Sequence, residues 1–86
     1  LAVIEKGEDA IRALGFRQFR VRHHGNLVRL EIEPEELPRA LNTEMAREFS
    51  RIFKGLGFAY VTLDLEGYRQ GSLNLHLAGN PRGGQG

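Results

Sequence analysis

Phe19-Arg20-Val21-Arg22-His23-His24-Gly25-Asn26-Leu27-Val28-Arg29-Leu30-Glu31-Ile32 is the stretch on which the fold turns. On each side of Gly25-Asn26 the residues alternate with period two, as strands with one buried face do. Phe19, Val21 and His23 share one parity, as do Val28, Leu30 and Ile32, while Arg20, Arg22, Arg29 and Glu31 share the other. Glycine at the first central position suits a two-residue type II′ hairpin turn, because that position needs positive φ. Such a turn fixes the register. Val21 should face Leu30, Phe19 should face Ile32, Arg20 should oppose Glu31 and Arg22 should oppose Arg29. Apolar residues then meet apolar residues, so turn chemistry and binary pattern agree.

Working outward, Ile4, Gly7, Ile11 and Leu14 form one helical stripe between about Val3 and Leu14, and Gly15 stands where a C-capping glycine belongs. Beyond the hairpin, Pro34 to Leu41 reads as a turn with one helical turn in it. A second helix starts near Asn42 or Thr43, both competent N-caps, and carries Met45, Phe49, Ile52, Phe53 and Leu56 on one stripe. Leu14-Gly15-Phe16 recurs as Leu56-Gly57-Phe58, so a helix–strand unit appears twice. The second unit predicts a strand over Phe58–Glu66, then a loop at Gly67–Gly71 and a short edge strand at Ser72–Leu77. The expected fold class is α+β: a two-layer, ferredoxin-like αββαβ domain over residues 1–77, with two helices packed on one face of an antiparallel sheet. Residues 78–86, rich in Gly, are expected to form a disordered tail.

Composition bounds the function. The chain has 86 residues, 41% hydrophobic and 27% charged, with 12 Lys+Arg against 11 Asp+Glu and a net charge of +1. One small domain follows, whose core is too thin to enclose a cofactor and a substrate together. Near-neutrality excludes a polybasic nucleic-acid arm, so any anion site must come from local clustering. The absence of cysteine removes disulfides, thiolate nucleophiles and zinc–thiolate sites from this chain, and fits a reducing, cytoplasmic setting. No run of apolar residues is long enough to span a bilayer. The chain begins at Leu1 within an apolar and acidic run, which reads as a piece of a longer protein.

The densest chemistry-bearing cluster is Arg20-Val21-Arg22-His23-His24. Residues two apart on a strand point to one face about 7 Å apart, so Arg20 and Arg22 can grip one anion, with Arg29 joining across the hairpin. The bland alternative is a solvated face with Arg20 and Glu31 as an ion pair. The directly opposed Arg22 and Arg29 repel each other unless an anion or an acid lies between them. His23 and His24 are adjacent on a strand and cannot chelate one metal together. Lys54-Gly55-Leu56-Gly57-Phe58-Ala59-Tyr60 imitates an RNA-recognition signature, but it ends a helix and lacks the third-position aromatic, so nucleic acid is not an expected partner. Phosphate loops and nucleophile elbows are absent from the sequence.

Two stretches carry a family resemblance: Arg20-Val21-Arg22-His23-His24-Gly25 with Arg29-Leu30-Glu31-Ile32, and Leu56-Gly57-Phe58 with Tyr60-Val61-Thr62-Leu63-Asp64-Leu65-Glu66-Gly67-Tyr68-Arg69 and Gly71 to Asn74. Together they resemble the C-terminal domain of the LarE-type ATP-dependent sacrificial sulfur transferases of the PP-loop ATP pyrophosphatase superfamily. Leu73 stands where that family usually has Met. The resemblance implies an enzyme that helps to make the nickel-pincer nucleotide cofactor. An N-terminal PP-loop domain of the same chain would bind ATP and Mg²⁺ and adenylylate a pyridinium mononucleotide substrate before sulfur insertion. This domain would bind substrate phosphate through Arg20, Arg22 and Arg69 and support a homo-oligomer. It would carry no catalytic residue. Glu8 and Glu31 match acids of a divalent metal site. The third acid falls near Arg39, which is not an acid, with Glu35 or Glu36 as stand-ins. Read from the residues alone, the other possibility is a free-standing ferredoxin-like module that binds a small molecule or a protein without catalysis.

Overall fold

The structure is a computed structural model that describes residues 1–68. Its elements run α1 (Ala2–Ala13), β1 (Phe19–His24), β2 (Leu27–Ile32), α2 (Leu37–Ala40), α3 (Thr43–Gly55) and β3 (Tyr60–Leu63). The hairpin has the register that its sequence dictates: Phe19 pairs with Ile32, Val21 with Leu30 and Arg22 with Arg29. Gly25 takes φ +58 while, among the described residues, no non-glycine residue has positive φ, the pattern of a II′ turn.

Both Leu-Gly-Phe repeats are Schellman motifs. Gly15 and Gly57 adopt φ +100 and +105. After α1, the Phe16 N–H reaches the Ile11 carbonyl at 3.4 Å and the Gly15 N–H reaches that of Arg12 at 2.9 Å. After α3, Phe58 and Gly57 donate to the carbonyls of Phe53 and Lys54, both at 3.0 Å. Each motif ends a helix, satisfies its last carbonyls and throws a phenylalanine back against the core. At the other end of α3 the Asn42 side chain accepts from the Met45 N–H at 2.8 Å, as an N-cap does.

Ile11, Phe16, Val28, Leu30, Ile32 and Phe53 are the most buried large side chains. They form one core between the helices and the apolar parity of the hairpin. α1 touches both β1 and α3. At Gly7 the absence of a side chain makes room for α3, since a Cβ there would collide with the ring of Phe53.

The sheet differs from expectation in one pairing. Strand order is β1-β2-β3, with β1 and β2 antiparallel but β2 and β3 parallel. The sheet is therefore mixed rather than antiparallel, and the domain is α+β with a short additional helix, α2. The cause is connectivity. A strand–helix–strand crossover returns the chain to the end where it started, so the two strands run the same way. In an all-antiparallel sheet another strand stands between them; here β2 and β3 pair directly, Val28 with Val61 and Leu30 with Leu63. β3 is also shorter than the predicted Phe58–Glu66. Asp64 still donates its N–H to the Leu30 carbonyl at 2.8 Å, but the chain then turns. The Asp64 carboxylate accepts from the Glu66 N–H at 2.9 Å, and Gly67 closes back on the Asp64 carbonyl at 3.0 Å. The predicted edge strand at Ser72–Leu77 and the tail at 78–86 lie outside the described residues. Among the described residues no helix is long and apolar enough to cross a membrane.

Candidate functional site

With Val28, Leu30 and Ile32 facing the core, strand alternation places Arg20, Arg22, Arg29 and Glu31 on the sheet's other face. The helices pack on the core side, so this face is built from side chains alone. Arg22 stands directly opposite Arg29, the repulsive arrangement that the sequence foretold. The acid that resolves it is Glu31. Its carboxylate lies 3.5 Å from Nε of Arg22 and 3.0 Å from a terminal nitrogen of Arg29, and it also accepts from Nε of Arg29 at 3.1 Å. The Glu31 side chain is only 12% exposed, against 45% for Arg22 and 40% for Arg29, so the guanidiniums shield it from water.

The Arg20–Glu31 ion pair of the solvated-face alternative does not form. The two residues are backbone partners, but among the described residues the Glu31 carboxylate pairs with Arg22 and Arg29. Sheet twist brings diagonal neighbours within reach of long side chains, so direct opposition does not decide the pairing. Arg20 instead reaches Tyr68. Its guanidinium carbon lies 4.7 Å from the ring centroid and a terminal nitrogen donates to the hydroxyl at 3.1 Å. The face thus carries two guanidiniums on one carboxylate and a third, Arg20, on an aromatic ring. Beside it, at the outer edge of β1, an open pocket of about 530 Å³ is bounded by Ile4 and Val21 on its apolar side and by Arg22, His24 and Arg29 on its polar side. That volume lies within the range of small-molecule sites. His23 lines the same pocket from the core parity of β1, its ring 6.5 Å from that of Phe58.

The remaining predicted residues are dispersed. Glu8 lies on α1, which packs on the core side of the sheet, whereas Glu31 projects from the opposite face and is held by two arginines. Among the described residues no three His, Cys, Asp or Glu side chains gather where they could hold a metal ion. Arg39, near which the resemblance would put the third acid, has a different task. Its terminal nitrogens donate to the carbonyls of Leu14 at 3.3 Å and Gly15 at 3.4 Å, and its guanidinium carbon lies 4.5 Å from the centroid of the Phe16 ring. The stand-in Glu36 is equally committed. It is 9% exposed and accepts from the Arg17 N–H at 2.9 Å, the Gln18 N–H at 3.4 Å and Arg39 at 3.4 Å. These described side chains do not fit a divalent-metal centre. Arg69 lies outside the described residues.

Two features escaped sequence reasoning. The Glu36–Arg39 clip joins the end of α1 to α2 through contacts between distant segments. Tyr68 sat in a stretch read as loop, and only the glycine before it hinted at a sharp turn.

Fold and site together define a small α+β domain with one covered sheet face and one arginine-lined face. No family model matches the chain. It is 42% identical over 71 residues to an uncharacterized protein of Synechocystis sp. (strain ATCC 27184 / PCC 6803 / Kazusa). It is 37% identical over 76 residues to the pyridinium-3,5-bisthiocarboxylic acid mononucleotide synthase of Lactiplantibacillus plantarum. These matches take in 83% and 86% of this chain but 26% of each relative, so the chain spans about a quarter of the length of the curated relatives it matches.

Proposed function

We propose that the chain is the C-terminal, substrate-phosphate-binding domain of a LarE-type sulfur transferase in nickel-pincer cofactor biosynthesis. The observation that carries this reading is the convergence of Arg20, Arg22 and Arg29 on one sheet face, in a chain similar to a quarter of a mononucleotide synthase. A mononucleotide brings a phosphate monoester, whose oxygens match the planar fork of a guanidinium. The strands set the spacing of these cations, and Glu31 and Tyr68 hold the three guanidiniums by direct contacts. In this reading the domain binds and orients. ATP and Mg²⁺ belong to a PP-loop domain elsewhere in the same cytoplasmic polypeptide, and that domain supplies the adenylylation chemistry. Arg69, five residues beyond Asp64, would extend the phosphate site, and the polar sheet face would contribute to contacts in a homo-oligomer.

The test is an NMR titration of the 86-residue chain with inorganic phosphate and with nicotinic acid mononucleotide. Shift changes should cluster on Arg20, Arg22 and Arg29, with millimolar affinity, and Arg20→Ala and Arg22→Ala should each weaken binding. Both variants titrating like the parent would overturn the phosphate role.

A further inference from the structure

Resting on the phosphate-binding reading above, we infer that Tyr68 is the positioning residue of this site: it fixes Arg20 for the anion without cancelling its charge. The three arginines of the face are not equivalent. Arg22 and Arg29 share the Glu31 carboxylate, so their attraction for a second anion is diminished. Among the described residues no carboxylate lies within ion-pair distance of Arg20; its neighbour is a neutral aromatic ring. A ring face stabilises a guanidinium through its quadrupole and restricts its motion while leaving the full positive charge for a ligand.

The backbone around Tyr68 is built to hold it there. Gly67 has φ +79, and a Cβ at that position would run into the Ile32 carbonyl, so this turn requires glycine. The Tyr68 N–H then donates to that same carbonyl at 2.8 Å. The residue is thereby tied to the end of β2, and its side chain lies on the polar face next to β1. Its hydroxyl accepts from Arg20 through a lone pair, so its own hydrogen is left to donate elsewhere. A phosphate oxygen on Arg20 can take that hydrogen. The site therefore selects a phosphate monoester by one fully charged guanidinium and one hydroxyl, with Arg22 and Arg29 as a secondary, partly neutralised pair.

Inorganic phosphate titrated into the 86-residue chain tests this, with Tyr68→Leu, Tyr68→Phe, Arg20→Ala and Arg22→Ala compared by NMR. The ring should displace the Arg20 Hε resonance upfield in the parent chain, and phosphate should move that resonance. Tyr68→Leu should lose the displacement and bind phosphate about three- to fivefold more weakly, the range of an exposed cation–π contact. Tyr68→Phe should keep the displacement, because the ring remains over Arg20, but should recover only part of the affinity, because the hydroxyl that would donate to phosphate is gone. Arg20→Ala should cost more than Arg22→Ala. Folded Tyr68→Leu that binds phosphate like the parent, while Arg20→Ala is impaired, would overturn the positioning role and leave the phosphate reading standing. Arg20→Ala and Arg22→Ala both binding like the parent would overturn both. If Tyr68→Leu does not fold, an Arg20 Hε resonance in the parent that shows no ring displacement overturns the positioning role by itself.

Discussion

The ring of Phe53 on α3 fills the space that a side chain on Gly7 of α1 would need. Phe53 is fully buried and cannot swing aside, so the two helices touch through the missing Cβ.

Gly7→Ala should therefore destabilise the domain although alanine is the better helix former. The propensity gain is about 1 kcal/mol, and overpacking a filled core costs about 1–3 kcal/mol. A net loss of about 1 kcal/mol is expected. Gly55 is the control: it ends α3 with open space around it, so Gly55→Ala should raise stability by up to about 1 kcal/mol. Urea unfolding of the two variants checks both signs.

Glu31→Gln should lower stability and raise anion affinity together. The substitution leaves Arg22 and Arg29 opposed with no carboxylate between them. The arginines are nearly half exposed, so solvent screens the pair and the loss should stay near 1 kcal/mol. Added phosphate should restore part of that loss, because it would take the place of the carboxylate. Thermal melts with and without phosphate at constant ionic strength provide the measurement. A phosphate-induced rise in Tm no larger than that of the parent would contradict it.

The Glu36–Arg39 clip should tolerate neither partner's truncation. Glu36→Ala removes the acceptor of two backbone N–H groups, at a cost of about 2 kcal/mol. Arg39→Lys keeps the charge but loses the fork that reaches two carbonyls and the stack on Phe16. It should cost about 1 kcal/mol, close to the effect of Arg39→Ala. Lysine retaining full stability in denaturant unfolding would show that charge alone matters there.

Stability should depend on Glu33 in acid. Withdrawal from water, the charges of Glu35 and Glu36, and a hydrogen bond with Glu35 together raise its pKa above the usual carboxylate range, against a weaker opposing pull from Arg17. A raised pKa in the folded state means that folding favours the protonated form. The benefit is present below the usual carboxylate value and is lost as pH rises through the raised one. Glu33→Gln, which imitates the protonated acid, should therefore melt higher than the parent at neutral pH, and the gap should close on acidification towards pH ~4. A gap that is constant with pH would remove Glu33 from the account.

Much of the architecture was legible in the residues because it is local. The hairpin register follows from a two-residue turn and period-two alternation, and every pair from Phe19–Ile32 to Arg22–Arg29 stands where that arithmetic puts it. The two Leu-Gly-Phe repeats are end signals with a backbone requirement, and both act as helix C-caps. Placement of Arg20, Arg22 and Arg29 on one face needs nothing beyond strand geometry.

Relations between distant segments were settled only in three dimensions. Whether β3 pairs with β2 directly, and so in parallel, depends on which strands exist to stand between them, and no local pattern encodes that. The choice of Glu31 between Arg20 and the pair Arg22 and Arg29 rests on twist and side-chain reach. That Tyr68 lies against Arg20, forty-eight residues away, depends on the Asp64–Gly67 turn docking on the end of β2. Backbone periodicity fixes which face a side chain leaves from, because it is set by the residue's own dihedral angles. Which partner it meets is set by the packing of the whole chain, where contacts of a few kcal/mol compete and the geometry of the assembled sheet decides among them.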